Sequence, residues 1–318
     1  MEWSREGATI TSANTSDPGG PGGNSAIRRT GVWIRTDAMT ARETAELSRR
    51  VEALGYGAFW FPEIRGRNAF VQAGWLLAAT ERLHVATGIA NIFLREPYAT
   101  ATAQRTLAEQ SEGRFVLGLG ISHASFVGRV LGREYQSPVS ALEGYLDRME
   151  GIVYDSPEPK TAAPTVLAAL APRLLRLAAR RTAGSHSYLV PPEHTARARE
   201  TLGPEPWLCV EQKVLLERTP SKARRVARQA CAFYLRLAHY QKSLRRLGFG
   251  DDDLADGGSD RLIDALVAWG DEKDLARRLR EHRDAGATHV CIQPIDSEGS
   301  PRPDPRALEA LAPSGGVR

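Results

Sequence analysis

Long hydrophobic runs, paired cysteines and signal-like segments are all missing from this chain of 318 residues. No apolar run approaches the roughly 18–20 residues that a membrane-spanning helix requires, so we expect no membrane insertion. The three cysteines, Cys209, Cys231 and Cys291, form no CxxC pair and lie in apolar stretches. They predict buried, reduced thiols, and the absence of a compact apolar core near the N-terminus agrees with a cytoplasmic protein.

A large charge imbalance is also lacking, because 42 Lys and Arg residues face 38 Asp and Glu residues. Arg and Glu are interspersed on helix-like segments such as 271–284, which is typical of a solvated helix face. Nucleic-acid binders usually concentrate their cations in one stripe, so we expect no nucleic-acid partner. The small basic surplus suits an acidic small molecule equally well.

Several catalytic signatures do not occur either. The sequence has no G-x-G-x-x-G after its first predicted strand, no HExxH, no G-x-S-x-G and no Walker lysine. These absences count against a Rossmann dinucleotide site, a hydrolase elbow and a kinase. The histidines and carboxylates are scattered, so we expect no metal site, and a metal-dependent hydrolase or lyase is kept only as a minor alternative.

What the sequence does contain is an alternation of short apolar runs with helical patterns. Strands are predicted at 32–34, 58–61, 83–89, 115–119, 165–170, 188–190, 207–217 and 288–293. Continuously apolar strands favour a parallel sheet that is covered on both faces. Eight β-then-α units predict a closed (β/α)8 barrel at 29–296, rather than an open doubly wound sheet. Residues 1–28, rich in Gly and Pro, are expected to form a mobile extension, and 297–318 a C-terminal segment.

Local signals mark some helices and connections. Thr40 and Glu43 have the spacing of a capping box, and Pro172 opens a helix that is predicted to end at Arg181. From Pro220 to Trp269 the pattern predicts helices alone. The segment 122–138 is longer than a usual connection, so it is predicted to be functional or partly structured.

Functional groups of a (β/α)8 barrel lie at the C-terminal ends of its strands. Glu63 follows the second predicted strand and could exchange a proton or a hydrogen bond with a ligand. His123 follows the fourth, after Gly118 and Gly120, which would let a ligand approach the backbone. Its imidazole is suited to proton transfer near neutrality. We predict Glu63 and His123 as catalytic residues, against the ordinary alternative of solvated loop side chains.

Two further strand ends have features of a binding site. Gly88, at the end of the third strand, indicates a bulge or a close contact. The segment 191–195 begins a helix, so its N–H groups and the Thr195 hydroxyl offer an anion site, with ordinary capping as the alternative.

Six segments together resemble the luciferase-like monooxygenase superfamily, and within it the branch of coenzyme F420-dependent oxidoreductases. They are FWFPE (59–63), ATGIANIFLREP (86–97), GRFVLGLGISHAS (113–125), VLAALAP (166–172), YLVPPEHTAR (188–197) and GSDRLIDALVAWG (258–270). The resemblance extends from about Gly31 to Pro294 and rests on the combination in this order. It implies a (β/α)8 barrel that holds F420, a deazaflavin, at the C-terminal mouth of the strands.

Carried over residue by residue, the resemblance implies that Glu63 lies beside the cofactor ring. It implies a bulge at Gly88-Ile89, where many relatives have a non-proline cis peptide, and a phosphate site at the helix start around 194–195. The implied cofactor-binding residues are Gly88, Ile89, Asn91, Gly120, Ser122, Leu170, Ala171, His194 and Thr195. The sequence departs from the family pattern at Ala171, where relatives often have glycine, and at 182–185, where TAGS replaces the commoner ADG.

The activity implied by the resemblance is hydride transfer between F420 and an unidentified small organic substrate, with His123 or Glu63 moving the accompanying proton. A homodimer is expected for the same reason. Two alternatives stay open: an FMN-dependent two-component monooxygenase, and a catalytically inactive barrel with a binding or regulatory role. The substrate pocket is predicted to involve the segments 122–138 and 66–70 and Gln293.

Overall fold

The short apolar runs of the sequence form β-strands that are buried along nearly their whole length. The computed structural model describes residue 27 and residues 30–132 and 134–313. Its strands are β1 Thr30–Trp33, β2 Ala58–Phe61, β3 His84–Thr87, β4 Ala90–Asn91, β5 Phe115–Gly120, β6 Thr165–Ala168, β7 Gly184–Ser187, β8 Trp207–Leu216, β9 Val267–Gly270 and β10 His289–Ile295. Burial without alternation is what parallel strands between two apolar layers require.

Parallel pairing continues around a closed cylinder in the order β10-β1-β2-β3-β5-β6-β7-β8, and β8 pairs back with β10. Gly31 is opposite Cys291 where β1 meets β10, and Lys213 is opposite Gln293 where β8 meets β10. The predicted (β/α)8 barrel is therefore confirmed. The other two described strands are accessory: β4 pairs with the end of β5, and β9 with the end of β8.

Helices connect the strands, and several begin at the predicted signals. They are α1 Ala41–Ala53, α2 Ala69–Ala79, α3 Pro97–Gln110, α4 Ala124–Arg129, α5 Pro138–Glu150, α6 Pro172–Arg181, α7 Pro192–Leu202, α8 Pro220–Leu235, α9 Ala238–Arg246, α10 Asp251–Leu254, α11 Asp260–Leu266, α12 Glu272–Asp284 and α13 Pro305–Ala310. The capping box of Thr40 and Glu43 is present at the start of α1. In the described ranges, every helix is too short or too polar to cross a bilayer.

Strand β7 lies earlier in the chain than predicted. The strand predicted at 188–190 is instead a turn, in which Leu189 has a φ of +55°, and the paired residues are 184–187. Their sequence, GSHS, contains no apolar run, and closure of the barrel rather than local hydrophobicity buries it. A pattern based on apolar residues therefore shifts this strand by several positions.

Two other predictions of secondary structure need correction. The helical prediction for 220–269 misses β9, because Val267–Gly270 pairs with the part of β8 that extends beyond β7. The single strand predicted at 83–89 is divided, since the chain breaks between β3 and β4. The long connection 122–138 contains the short helix α4, in agreement with the prediction that it is partly structured.

Two apolar layers hold the barrel together. Outward side chains such as Phe59 and Leu117 pack beneath the helices, whereas inward ones such as Trp60 and Val116 fill the cylinder. Ile27, only 2% exposed, joins the inner layer. Residues 1–26 of the predicted extension lie outside the described residues.

The C-terminal segment also packs on the barrel. Leu308 in α13 is buried in the outer layer, and the Tyr56 hydroxyl donates a hydrogen bond to its carbonyl oxygen at 2.8 Å. The described part of the predicted C-terminal segment thus contributes to the same apolar layer as the barrel.

Candidate active site

The C-terminal ends of the strands open into a cavity of about 1350 Å³. Ligand cavities commonly measure 300–1,000 Å³, so this one has room for more than one small molecule. Eight of the predicted site residues line it: Glu63, Gly88, Ile89, Gly120, Ser122, His123, Leu170 and Ala171. Positions more than a hundred residues apart in sequence therefore meet at one mouth, as the strand-end rule predicts.

One side of the cavity is formed by the bulge between β3 and β4. The Gly88–Ile89 peptide bond is cis, at the position that the resemblance indicates. The Gly88 N–H donates to the Phe61 carbonyl at 2.7 Å, and the Trp33 indole donates to the Gly88 carbonyl at 3.2 Å. The bulge is thus tied to β2 and to the side chain of β1, and it presents Ile89 to the cavity.

The glycines of β5 make room for this bulge. A Cβ atom on Gly118 would lie 1.9 Å from the Thr87 carbonyl oxygen, and one on Gly120 would lie 2.6 Å from Ile89 Cγ1. Gly120 also lines the cavity, so the prediction that these glycines let a ligand approach the backbone stays a prediction. The neighbouring strand already occupies the space that their missing side chains leave.

Glu63 is held by donors on both of its oxygens. The Arg95 guanidinium binds it with two nitrogens, Nη1 at 2.8 Å from Oε2 and Nη2 on Oε1. The backbone N–H of Ala69 donates to Oε1 at 3.1 Å, and that of Asn91 donates to Oε2 at 3.0 Å. The side chains of Glu63 and Arg95 are only 4% and 10% exposed, respectively. Glu63 braces α2 and β4 beside the cavity, and its predicted role in proton transfer stays a prediction.

Three predicted cofactor residues do not lie on the cavity wall. Asn91 is buried behind the bulge, where its Oδ1 accepts from the Phe93 N–H. Thr195 is buried and shares a hydrogen bond of 2.8 Å with His282. His194 bonds to the Leu170 carbonyl through Nε2.

Two backbone groups of the predicted phosphate site at 194–195 are engaged within the protein. The backbone N–H groups of His194 and Thr195 both donate to the Pro191 carbonyl oxygen, at 3.0 and 3.4 Å. Both groups thus make backbone hydrogen bonds in the first turn of α7, and the predicted phosphate site stays a prediction.

His123 lies at the cavity mouth between β5 and α4. The residue before it, Ser122, has a φ of +57°, where the chain leaves the strand. The imidazole stacks on His239 with ring centroids 5.1 Å apart and contacts Phe233 edge-on. Its Nδ1 atom is buried and makes no hydrogen bond to a described residue. Burial lowers the pKa of His123, so the ring is neutral at pH 7 and can accept a proton.

The floor of the cavity is a polar cluster that the sequence reasoning did not assemble. The Lys213 ammonium donates to Glu211 Oε1 at 3.1 Å, to the Tyr188 hydroxyl at 2.8 Å and to Gln293 Oε1 at 2.8 Å. Tyr188 Oη also lies 3.0 Å from Gln293 Oε1. Lys213 and Glu211 are 1% and 0% exposed, whereas Tyr188 and Gln293 line the cavity. We call Glu211, Lys213, Tyr188 and Gln293 the floor cluster.

A sequence signal for the floor cluster exists. Glu211 and Lys213 are two residues apart in an otherwise apolar strand, and a period of two places both on the same face. Charged residues are almost never fully buried unless they are paired, so such a pair inside a core strand indicates a functional or specifying role.

His186, which also lines the cavity, was missed by the sequence prediction because β7 was misplaced. Burial and the nearby His289 lower its pKa to about 3.

Cations form part of the cavity wall near its mouth. Within the described ranges, four of them have no acidic partner: Arg65, Arg129, Lys242 and Arg246. Arg129 ends α4, and the last two lie on α9 one turn apart. This arrangement favours an anionic group at the mouth.

The predicted substrate pocket is partly supported. Residues of 122–138 and Gln293 line the cavity, but none of 66–70 does. Asn68 instead caps α2, and Phe70 packs edge-on against Phe115 beneath the Arg95 guanidinium. Among the described residues, no three His, Cys, Asp or Glu side chains converge as a metal site.

The fold and the cavity define an enzyme-like barrel, and comparison with known proteins identifies its family. The family model for luciferase-like monooxygenases matches residues 22–289, so the chain belongs to the luciferase-like monooxygenase family. One curated relative, from Mycobacterium tuberculosis, is provisionally named a coenzyme F420-dependent oxidoreductase. It is 30% identical over 117 residues, which are 37% of this chain and 33% of the relative. The match thus spans about a third of that relative's length.

Solved structures share the fold at low sequence identity. The coenzyme F420-dependent tetrahydromethanopterin reductase from Methanopyrus kandleri superposes with a TM-score of 0.72 and 17% identity, over 90% of this chain and 98% of that one. The oxygenating constituent of 3,6-diketocamphane monooxygenase from Pseudomonas putida, in complex with FMN, gives a TM-score of 0.66 and 16% identity, over 90% and 97%. Both cofactors therefore occur on this fold.

Proposed function

We propose that the chain is an oxidoreductase that binds coenzyme F420 in the barrel cavity and transfers hydride between this deazaflavin and a small organic substrate. The observation that carries the proposal is the division of the cavity wall. Small and apolar residues line one side, polar groups form the floor, and cations stand at the mouth. When bound, F420 supplies the hydride chemistry at C5 of its ring.

The residues present fit such a cofactor. Ile89, Gly120, Ala168 and Leu170 offer a surface of low polarity on which a flat ring system can pack. The unpaired cations of α4 and α9 suit the phosphate of the cofactor's tail, in place of the helix start at 194–195. The cavity volume leaves space for a substrate beside the ring.

The chain's own residues supply positioning, a proton carrier and exclusion of water. Glu63 and Arg95 hold the bulge that carries Ile89. His123, neutral at pH 7, is placed to exchange a proton with substrate. Phe233 of α8 packs edge-on against His123, and Tyr234 packs against Tyr188 of the floor cluster, so both rings would limit contact of a bound ligand with solvent.

Titration of the purified protein with F420, FMN and riboflavin tests the proposal. We expect F420 to bind at least about tenfold more tightly than FMN, and riboflavin, which lacks the phosphate, to bind more weakly than FMN. The double variant Lys242→Gln/Arg246→Gln should weaken both phosphate-bearing ligands about two- to fivefold, less so at high salt, and leave riboflavin unchanged. Lys273→Gln, on α12 outside the cavity wall, is the matched control.

Other outcomes would replace the proposal. Tighter binding of FMN, with oxygen consumed when reduced FMN is supplied, would indicate a two-component monooxygenase. The same observation supports this second candidate, because the cations at the cavity mouth suit the phosphate of FMN equally well. Binding of none of the three would leave a barrel with a binding or regulatory role.

A further inference from the structure

The floor cluster fixes the orientation of one amide. Gln293 Oε1 lies 2.8 Å from the Lys213 ammonium, which can only donate, and 3.0 Å from the Tyr188 hydroxyl. Flipping the amide would place its NH2 group against the ammonium. The NH2 group therefore faces away from Lys213, and it donates to no described residue although Gln293 lines the cavity.

Lys213 has no N–H group left to donate to a ligand. Its three N–H groups are used by Glu211, Tyr188 and Gln293, and its side chain is almost fully buried. Glu211 balances the charge, and its second oxygen accepts the Leu189 N–H at 2.9 Å, which anchors the turn that follows Tyr188. The ammonium thus polarises the Gln293 amide from behind without entering the cavity.

Gln293 and Lys213 also occupy a rigid place in the barrel. They are directly opposite each other in the register of β8 and β10, so both side chains leave the same level of the cylinder. A donor built on paired strands is held more precisely than one on a loop. The floor therefore presents a fixed N–H donor to whatever occupies the substrate space.

We propose that Gln293, positioned by Lys213, binds an oxygen acceptor of the substrate, a carbonyl group, through its amide nitrogen. An ammonium group at this point would face a donor with donors alone, next to a buried positive charge. Gln293 is then a specificity-determining residue and Lys213 a positioning residue. The inference deepens the proposed function, because it names the substrate class for the same cavity.

The experiment uses 4-(dimethylamino)cinnamaldehyde, a flat aldehyde whose absorption band moves to longer wavelength when its oxygen accepts a hydrogen bond. We expect saturable binding to the wild-type protein with a red-shifted band. Gln293→Met, of similar volume, should lose the shift and weaken binding about three- to tenfold. Gln293→Glu, which offers no N–H, is the second variant should the first fail to fold.

The matched control is Gln229→Met, because Gln229 lines the same cavity from α8 and lies outside the floor cluster. It should keep the red shift. The double variant Glu211→Gln/Lys213→Met removes both buried charges together and should reduce the shift while Gln293 is still present. Circular dichroism establishes that each variant is folded.

A wild-type protein that leaves the band unshifted, or folded Gln293 variants that keep the full shift, would overturn the inference. The measurement needs no cofactor, so it can fail separately from the proposed function. A red shift without F420 binding would contradict the F420 proposal alone, and F420 binding without a red shift would contradict the carbonyl proposal alone.

Discussion

Two buried ion pairs border the cavity, and they differ in what a ligand can reach. Glu63 and Arg95 bind backbone groups of the bulge and of α2, so their charges serve the architecture. In the other pair, Lys213 instead donates hydrogen bonds to Tyr188 and Gln293, which line the cavity. Glu211 balances its charge. The Glu63–Arg95 ion pair thus stabilises the backbone around the cavity, whereas the Lys213–Glu211 pair polarises side chains that line it.

Removal of the Glu63 carboxylate should destabilise the protein strongly. Glu63→Ala leaves the Arg95 guanidinium buried without a counter-charge, and we expect a loss of about 3–5 kcal/mol in the free energy of unfolding. Denaturant titration measures this loss. Glu46→Ala is the control, since Glu46 pairs with Arg42 on the exposed face of α1 and should change stability by less than about 0.5 kcal/mol. Equal effects of the two substitutions would show that Glu63 braces nothing.

His123 is expected to matter for turnover rather than for folding. Under the proposed function, His123→Asn should lower kcat by about 10²-fold, because the proton carrier is removed, and change F420 affinity little. Steady-state kinetics and a binding titration separate the two effects. His239→Asn, which changes the stacked partner ring, should lower kcat much less. A His123 variant with normal kcat would remove this residue from the reaction.

At the scale of elements, the accuracy of prediction depends on whether the signal is local. The bounds of α6 at 172–181 and of β2 at 58–61 were predicted correctly, because a proline and an apolar run are local signals. Strand β7 was misplaced because GSHS becomes a buried strand only when the barrel closes. Strand β9 was missed because its pairing depends on the length of β8.

The same distinction between local and long-range signals applies to the functional site. The strand-end rule located Glu63 and His123 from sequence alone. It could not reveal that Arg95 engages both oxygens of Glu63, or that Lys213 meets Gln293, because these contacts join residues 32 and 80 positions apart. Side-chain partners across a closed barrel follow from register, which a single sequence does not contain.

The contact between β5 and the bulge can be tested with one methyl group. Gly120→Ala would place its Cβ 2.6 Å from Ile89 Cγ1, and we expect a destabilisation of about 1–3 kcal/mol from overpacking. Gly128→Ala is the control, since nothing lies within 4 Å of a Cβ there and α4 should gain up to about 1 kcal/mol. Thermal or denaturant unfolding of both variants measures the difference. A neutral Gly120→Ala would mean that the bulge yields easily.

For the whole molecule, buried histidines predict a loss of stability in acid. Burial, followed by nearby groups, lowers the pKa of His186 and of His282 to about 3. Between the unfolded value near 6.5 and 3, the unfolded chain binds more protons than the folded one, so stability falls as the pH falls. The slope contributed by each histidine is at most about 1.4 kcal/mol per pH unit.

Denaturant unfolding at pH 7, 6, 5 and 4 measures this dependence. His282→Gln removes one titrating group and should flatten the curve below pH 6. The structure places His282 between Thr195 and Gln212, outside the cavity wall, so the change leaves the floor cluster intact. An unchanged slope in the variant would contradict the assignment of the acid sensitivity to this residue.

The long connection between β8 and β10, which contains α8 and α9, has a consequence for how such a protein diverges. The described groups that α8 and α9 contribute to the cavity lie between Gln229 and Arg246, whereas Glu211, Lys213 and Gln293 of the floor cluster lie on β8 and β10. Part of the upper cavity wall and the charged residues of the floor are therefore encoded by separate stretches of the gene. Mutations in the codons for α8 and α9 can change that part of the wall while the floor residues on β8 and β10 are inherited unchanged.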